Sequence, residues 1–542
     1  MKNSIQIVIL FMLVYLLSMT AEAQTWEWAT KAGGTGNDYG KGIDVDEDGN
    51  SYVTGTFYNA ISFGLTTLSN PGLWSVYIAK YNVNGNLEWA KMAASDSSIS
   101  VGGICIDKSG SVSIVGNFFG SGNFGDSNPG SLTSIGDYDV FVASYDNTGE
   151  IKWAKSAGGP GVDYGGGIST DDHGNVYITG DFHITSFPAS SSKIFIAKYD
   201  SAGYCPWFIM SQDYGNFDYG MGVKTDTSGN SYITGQFFNT LTFDSSIVLD
   251  AGNPESNIFI AKFDAGGNVV WSQQAGGAAG YAGAEAVDVD DKGNAYITGY
   301  YRGTISFGDL SLSGPSEISY DVFIAKCSSE GNFEWVNKAS GPGVLDEGRS
   351  ISVDKAGNCF VAGYFTNTFT MGSVSLINTG AKDIFIGKAN TSGEFIWATQ
   401  CGGLSDDNVG GIKANSQGVY LTGNFTGTIN FGTSLLLTAD NGNQYDIFAA
   451  RINTITGIGD EGHFGSGISL FPNPAADEIQ LKGFGGEIGY IIYDATGKFV
   501  CQGIINESNK IPLENLAKGM YLIQLRAGDD SRKSYRIKFV KN

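Results

Sequence analysis

Asp346, Glu347 and Arg349 form the most individual charged cluster in the chain. Two carboxylates beside a guanidinium could serve a glycosidase or a lyase, with one acid giving a proton and the other acting as base or nucleophile. The same three are the candidates for ligand binding, and a solvated loop is the commoner fate of such a cluster. Asp44, Asp46 and Asp48, followed by Gly49, begin like a calcium loop. The place of its closing bidentate Glu is taken by Gly55, so the spacing suits a turn better than an ion. These three are the metal candidates, and no cofactor other than calcium is expected. The three histidines, His173, His183 and His463, make no HExxH or H-x-E spacing. There is no GxSxG elbow and no GxxxxGK[ST] loop. No catalytic residue is assigned.

The elements that would position these residues are repeats. An Asp-x-x-Gly turn recurs with Gly49, Gly110, Gly174, Gly229, Gly293, Gly357 and Gly418, the last preceded by Asn415 in place of Asp. In such a turn the acid bonds its own backbone, and the glycine takes a conformation that costs other residues more. Each turn is followed by a strand ending in glycine (Gly55, Gly180, Gly299 and equivalents) with an aromatic two residues on. Next comes an IFIA-type strand such as Ile194-Phe195-Ile196-Ala197, and last a tryptophan strand (Trp28, Trp89, Trp153 and equivalents). Every landmark occurs seven times.

Four strands repeated seven times predict an all-β, seven-bladed β-propeller. The IFIA strands are apolar on both faces, so their sheets must be covered on both sides. A repeat of about 61 residues exceeds the roughly 40–45 of a WD-type blade. The excess (61–70 and 305–314, for example) reads as decoration, because the third unit is shortened there. The chain opens with a lone tryptophan strand at 25–33 and its seventh unit has none, so the N-terminal strand should complete the last blade and remove a raw sheet edge. Function should sit where the copies differ. One varying position is the acid ahead of each first strand: Asp38, Asp163, Asp218, Asp346 and Asp407, with Ile99 and Ala282 in the other two units. Five carboxylates at one level of a ring could hold a cation at a channel mouth, although such an acid more often locks its own turn.

Lys2, the apolar run 5–19 and the small-x-small site Ala21-Glu22-Ala23 before Gln24 predict a signal peptide over 1–23, cleaved between Ala23 and Gln24. The run is too short for a membrane span, and none is expected in the mature chain. A net charge of −23 excludes nucleic acid as a partner, which needs a basic footprint. The six cysteines lack a framework spacing and read as small buried hydrophobes. After the propeller (24–456) a Gly-rich linker (457–467) leads to short strands and turns at 468–542, a small Ig-like β-sandwich.

Two resemblances sharpen these expectations. Pro472, Asn473 and Pro474 after an apolar strand, Asp494 and Gly497 in YDATGK, and Gly519 and Tyr521 in KGMYLI resemble the type A C-terminal sorting domain of the type IX secretion system. The resemblance implies that the type IX machinery is a partner and that the product is secreted or held on the outer cell surface. The AGG, D-x-x-G-N-x-Y-x-T-G and IFIAKY elements resemble SBBP β-propeller repeats, which imply a fold and little about function. The expected role is a non-enzymatic scaffold for a glycan or protein ligand; the alternative is a carbohydrate-active enzyme with carboxylates on one rim.

Overall fold

A computed structural model describes residues 24–454 except 126–129, 185–190, 213–216, 245–246, 253–254, 278–279, 315–317 and 433–434. Beyond them it describes 469–471, 478–482, 488–494, 499–505, 510–513, 516–527 and 534–541. Residues 1–23, read above as a signal peptide, residues 457–467, read as a linker and including His463, and Pro472, Asn473, Pro474 and Gly497 lie outside the described residues. Contacts divide the chain into a unit of Gln24–Thr454 and one that contains Ile455–Asn542.

All regular structure among the described residues is strand. The third unit shows the pattern. Asp163–Thr170, Val176–Ile184, Ser191–Tyr199 and Trp207–Met210 pair antiparallel in chain order. The turn at its head is held by Asp171, whose carboxylate accepts from the amides of His173 (2.9 Å) and Asn175 (3.0 Å), and Gly174 sits at φ +76°. Ile194, Phe195, Ile196 and Ala197 are fully buried. Covered on both faces, this strand needs a neighbouring sheet on each side.

Among the described residues the same four-stranded meander occurs in seven sheets. In the last of them Gln24–Ala32 lies beside Asp446–Thr454, with Trp28 opposite Arg451 and Lys31 opposite Phe448. The first strands of successive sheets touch in sequence, and Asp407–Asn415 of the last touches Asp38–Val45 of the first. The tryptophans fasten neighbours together. The Trp153 indole N–H donates to Ser201 O (3.1 Å) in the next unit, and Trp28, standing in the last sheet, donates to Val83 O (3.0 Å) in the first.

The segments read as decoration have a structural task. They form hairpins such as Thr304–Phe307 with Leu310–Ser313, which add to the preceding sheet through Ala275 opposite Phe307. Ile305, Phe307, Phe369, Met371, Ile429 and Phe431 are all buried there. A free hairpin would leave this apolar face in water. Clasping the previous sheet's outer strand hides both the face and the edge.

In the C-terminal unit, Ser469–Phe471, Glu478–Lys482 and Lys510–Pro512 form one sheet, and Phe499–Ile505, Ile488–Asp494, Gly519–Ala527 and Ser534–Lys541 another. Ile479 and Ile511 of the first share a core with Ile492, Ile505, Ile523 and Leu525 of the second. Tyr521 is buried with its hydroxyl donating to Ala517 O (2.9 Å), and Asp494 ends its strand opposite it.

Candidate functional site

Each first strand carries a β-bulge at one repeat position, between Gly40 and Gly42, Val101 and Gly103, Gly165 and Gly167, Gly220 and Gly222, Ala284 and Ala286, Gly348 and Ser350, and Val409 and Gly411. A bulge leaves one residue without a cross-strand partner and re-aims its side chain. The residues passed over are Lys41, Gly102, Gly166, Met221, Glu285, Arg349 and Gly410, and all seven line one cavity of about 550 Å³. Tyr39, Tyr364, Asn408, Asn424 and Tyr445 complete its wall. The glycines at three of the bulges leave the space that the three charged chains and Met221 enter.

Arg349 organises this floor. Its guanidinium is 2.8 Å from Glu285 and 3.5 Å from Glu347, and lies over the Tyr364 ring at 5.6 Å. Lys382 approaches the same ring at 4.6 Å. Burial pushes the Glu285 carboxyl above its ordinary range, and the Arg349 charge offsets part of that rise.

A second cavity of about 330 Å³ continues from the first and shares its seven bulge residues. It is crossed by two ion pairs between different units, Lys413 with Asp44 (3.1 Å) and Lys224 with Asp288 (3.2 Å). Asp44 also accepts from the amide of Ile106 (3.0 Å), and Asp288 from that of Val353 (2.8 Å), so each acid ties its strand to the next. Burial alone would raise the Asp288 carboxyl; Lys224, Lys413 and the two backbone donors outweigh it and hold the group below its usual range.

Tyr39 and Tyr445 of the wider cavity's wall belong to an aromatic cluster. Tyr39 stacks on Trp74 (5.8 Å, 23°) and meets Tyr445 at 5.4 Å, and the Tyr58 ring lies 5.4 Å from that of Trp74. Tyr281 stacks on Tyr300 (6.3 Å) beside Tyr320, and the Arg302 guanidinium covers Tyr281 at 5.0 Å. Tyr58 is exposed, and Tyr39, Trp74 and Tyr445 are half-buried.

The residues singled out from sequence are placed as follows. Glu347 and Arg349 come together at the cavity, whereas Asp346 is fully buried and accepts from the amide of Thr366 (2.9 Å). Asp44, Asp46 and Asp48 do not converge. Asp44 faces the narrow cavity, Asp46 holds its own turn through Asn50 (2.8 Å), and Asp48 is exposed. Among the described residues no group of three or more His, Cys, Asp or Glu could hold one metal ion. Asp38, Asp163, Asp218 and Asp407 are buried, like Asp346. His183 lies 3.5 Å from Asp181, and His173 sits in its turn. All six cysteines are free, and four are buried. Sequence reasoning missed Lys41, Glu285 and the ring of Tyr39, Trp74 and Tyr445. The signal was available: the bulge position reads Lys, Gly, Gly, Met, Glu, Arg, Gly across units that otherwise agree.

Comparison with known proteins adds the following. A family model described as a secretion system C-terminal sorting domain matches residues 469–541. One described as a β-propeller repeat matches 27–56 and 152–188. An uncharacterized WD repeat-containing protein of Acanthamoeba polyphaga mimivirus is 23% identical over an alignment that covers 78% of this chain and 38% of the relative's own length. The chain thus spans well under half of that relative. Among solved structures, the extracellular domain of a protein described as the hybrid two component system BT4673 of B. thetaiotaomicron aligns over 96% of this chain and 99% of its own, at 10% identity and a TM-score of 0.20. A DUF4221 family member from Bacteroides vulgatus aligns over 80% and 99%, at 11% identity and a TM-score of 0.27. No helix among the described residues is long and apolar enough to cross a membrane.

Proposed function

We propose, for a chain that carries β-propeller repeats and a type IX sorting domain addressing it to the cell surface or the medium, a role as a non-enzymatic glycan-binding module. In this reading residues 1–23 are a signal peptide, 24–456 a seven-bladed propeller closed by its N-terminal strand, 457–467 a linker, and 468–542 an Ig-like sorting domain that engages the export machinery. The observation that carries the binding role is the aromatic mouth. Tyr39, with Trp74 stacked on it, and Tyr445 border a cavity of about 550 Å³ whose floor holds Lys41, Glu285 and Arg349. Flat, half-buried rings give a sugar's apolar face a large contact surface at small entropic cost, and the polar floor orients its hydroxyls.

Charge narrows the ligand. Lys41 and Arg349 face Glu285 and Glu347, and Lys224 and Lys413 face Asp44 and Asp288, so the lining is balanced. That favours a neutral polysaccharide over an acidic one, which the net charge of −23 would also repel. Glycoside cleavage needs two carboxylates free to flank the bond. Glu285 and Glu347 are instead both paired with one guanidinium. A glycan array with the mature chain, run beside a reducing-end assay on the polysaccharides it retains, tests the reading. Binding should weaken at least ~10-fold in Trp74→Ala or Tyr39→Ala. Unchanged binding in both variants, or release of reducing ends, would refute it.

A further inference from the structure

The seams between neighbouring sheets repeat one backbone contact. The N–H of the residue heading a first strand donates to a carbonyl at the start of the previous sheet's third strand: Asp38 to Tyr445 O (2.8 Å), Asp163 to Tyr138 O (2.7 Å), Ala282 to Ser256 O (3.0 Å), Asp346 to Tyr320 O (3.2 Å) and Asp407 to Lys382 O (3.1 Å). A bridge between Ser192 and Phe217 marks the same place in a further seam. The contact sets two side chains from different units beside one another. In four seams the neighbours are both acids, Asp38 with Asp446, Asp163 with Asp139, Asp346 with Asp321 and Asp407 with Asp383; in the other three the same repeat positions hold Asp218 and Lys193, Ala282 and Asn257, and Ile99 and Ser75. At these matched positions an acid goes with an acid or a lysine, and a neutral residue with a neutral one. Seven copies in one chain act as seven trials of the same site, and the charge on one side follows the charge on the other.

The acid pairs are buried, each of the eight carboxylates being at most 1% exposed. They make no hydrogen bond to each other, and oxygens in every pair lack any partner: Oδ1 of both Asp383 and Asp407, Oδ1 of Asp139, Oδ2 of Asp346, both oxygens of Asp321, and Oδ1 of Asp446 with both of Asp38. The Asp383–Asp407 seam is the clearest. One oxygen of Asp407 is anchored by the amide of Gly403 (2.7 Å), and one oxygen of Asp383 by the amide of Thr379 (3.1 Å) and by Gln400 (3.3 Å). The second oxygen of each is left over. Gly402 packs against Asp383 so closely that a β-carbon there would strike the carboxyl. Lys31 reaches Asp446 (3.4 Å) in the closing seam, where an ammonium already supplies part of the missing charge.

Two buried carboxylates that do not share a proton need positive charge between them. We propose that the Asp383–Asp407 seam, and with it the other acid–acid seams, binds a hard divalent cation of the calcium class. An all-oxygen donor set selects such an ion over zinc, which prefers nitrogen and sulfur. Backbone carbonyls at the seam and water would complete its shell.

The test uses the full mature chain, stripped with a chelator and dialysed against about 1 mM radioactive calcium. Bound calcium should be retained after gel filtration, and adding calcium should raise Tm by several degrees. Asp383→Asn should lose one ion per chain. Asp383→Lys sets an ammonium beside Asp407, so it should lose the same ion yet melt higher than the chelated parent. It also serves if Asp383→Asn does not fold. Absence of retained calcium in the parent, or an unchanged count in Asp383→Lys, would overturn the proposal.

Discussion

Replacing Asp171 with alanine should cost the repeat unit about 3 kcal/mol. The carboxylate is 6% exposed and accepts from His173 N (2.9 Å), Asn175 N (3.0 Å), Asn175 Nδ2 (2.7 Å) and the Tyr177 hydroxyl (3.1 Å). Hydrogen bonds to a charged group contribute about 1.5–3 kcal/mol each when taken singly. Two of the donors are turn amides that water can reach once the side chain is gone, so their loss is partly refunded. The Tyr177 ring is fully buried and its hydroxyl reaches only Gly229 O (3.4 Å) besides, so that group bears most of the cost. Unfolding entropy of about 2 cal/mol/K per residue over a unit this large turns 3 kcal/mol into a fall in Tm of only about 3 °C. Urea midpoints followed by tryptophan fluorescence are therefore the better assay. Asn415 provides a control within the chain: it is neutral, accepts from the amides of Gln417 (2.8 Å) and Gly418 (3.2 Å) and donates a long bond to Asp46 O (3.4 Å), so Asn415→Ala should cost about 1 kcal/mol. The pH dependence has a definite sign. Burial would raise the Asp171 carboxyl, but its bonds from Asn175, His173 and Tyr177 outweigh burial and hold it below the usual value. On acidification the unfolded chain takes the proton first, so the stabilisation is complete above about pH 4 and fades as pH falls through the folded value. Asp171→Asn should flatten that slope. Equal losses at Asp171 and Asn415, or a loss below about 0.5 kcal/mol at Asp171, would refute the account.

Two further outcomes are expected. Removing residues 24–33 strips Asp446–Thr454 of its partner along eight register pairs and leaves Val83 O without the Trp28 donor. At about 1 kcal/mol per backbone bond the loss is comparable to the whole stability of a domain, so this truncation should give no soluble, cooperatively melting protein; a sharp melt would contradict ring closure. Asp288→Asn removes the charge opposite Lys224 and weakens the bond from Val353 N, and should destabilise by about 2 kcal/mol at neutral pH. Because the Asp288 carboxyl is held below its ordinary value, the difference from the parent should shrink as pH drops through that range in denaturation curves.

Turns, strands and the order of the repeats are local matters, and the chain spells them out. Asp171 and Gly174 define a hairpin within five residues, and the two apolar faces of Ile194–Ala197 require cover wherever the strand lies. Counting tryptophan strands was enough to foresee that Gln24–Ala32 belongs beside Asp446–Thr454, since an unpaired strand at one end matched a vacancy at the other. The sorting tail was legible for the same reason, as a run of short motifs. The site was half legible. Glu347 and Arg349 stood out by type, but Asp346, their neighbour in sequence, is turned away into a buried seam. A bulge decides which residue of a first strand enters the cavity, and bulges depend on how two strands fit rather than on either alone. Likewise nothing local sets Asp407 beside Asp383, or Asp38 beside an acid more than four hundred residues away. Only packing of one sheet's edge on the next brings those carboxylates together, because the contact between them is made by backbone groups of different units.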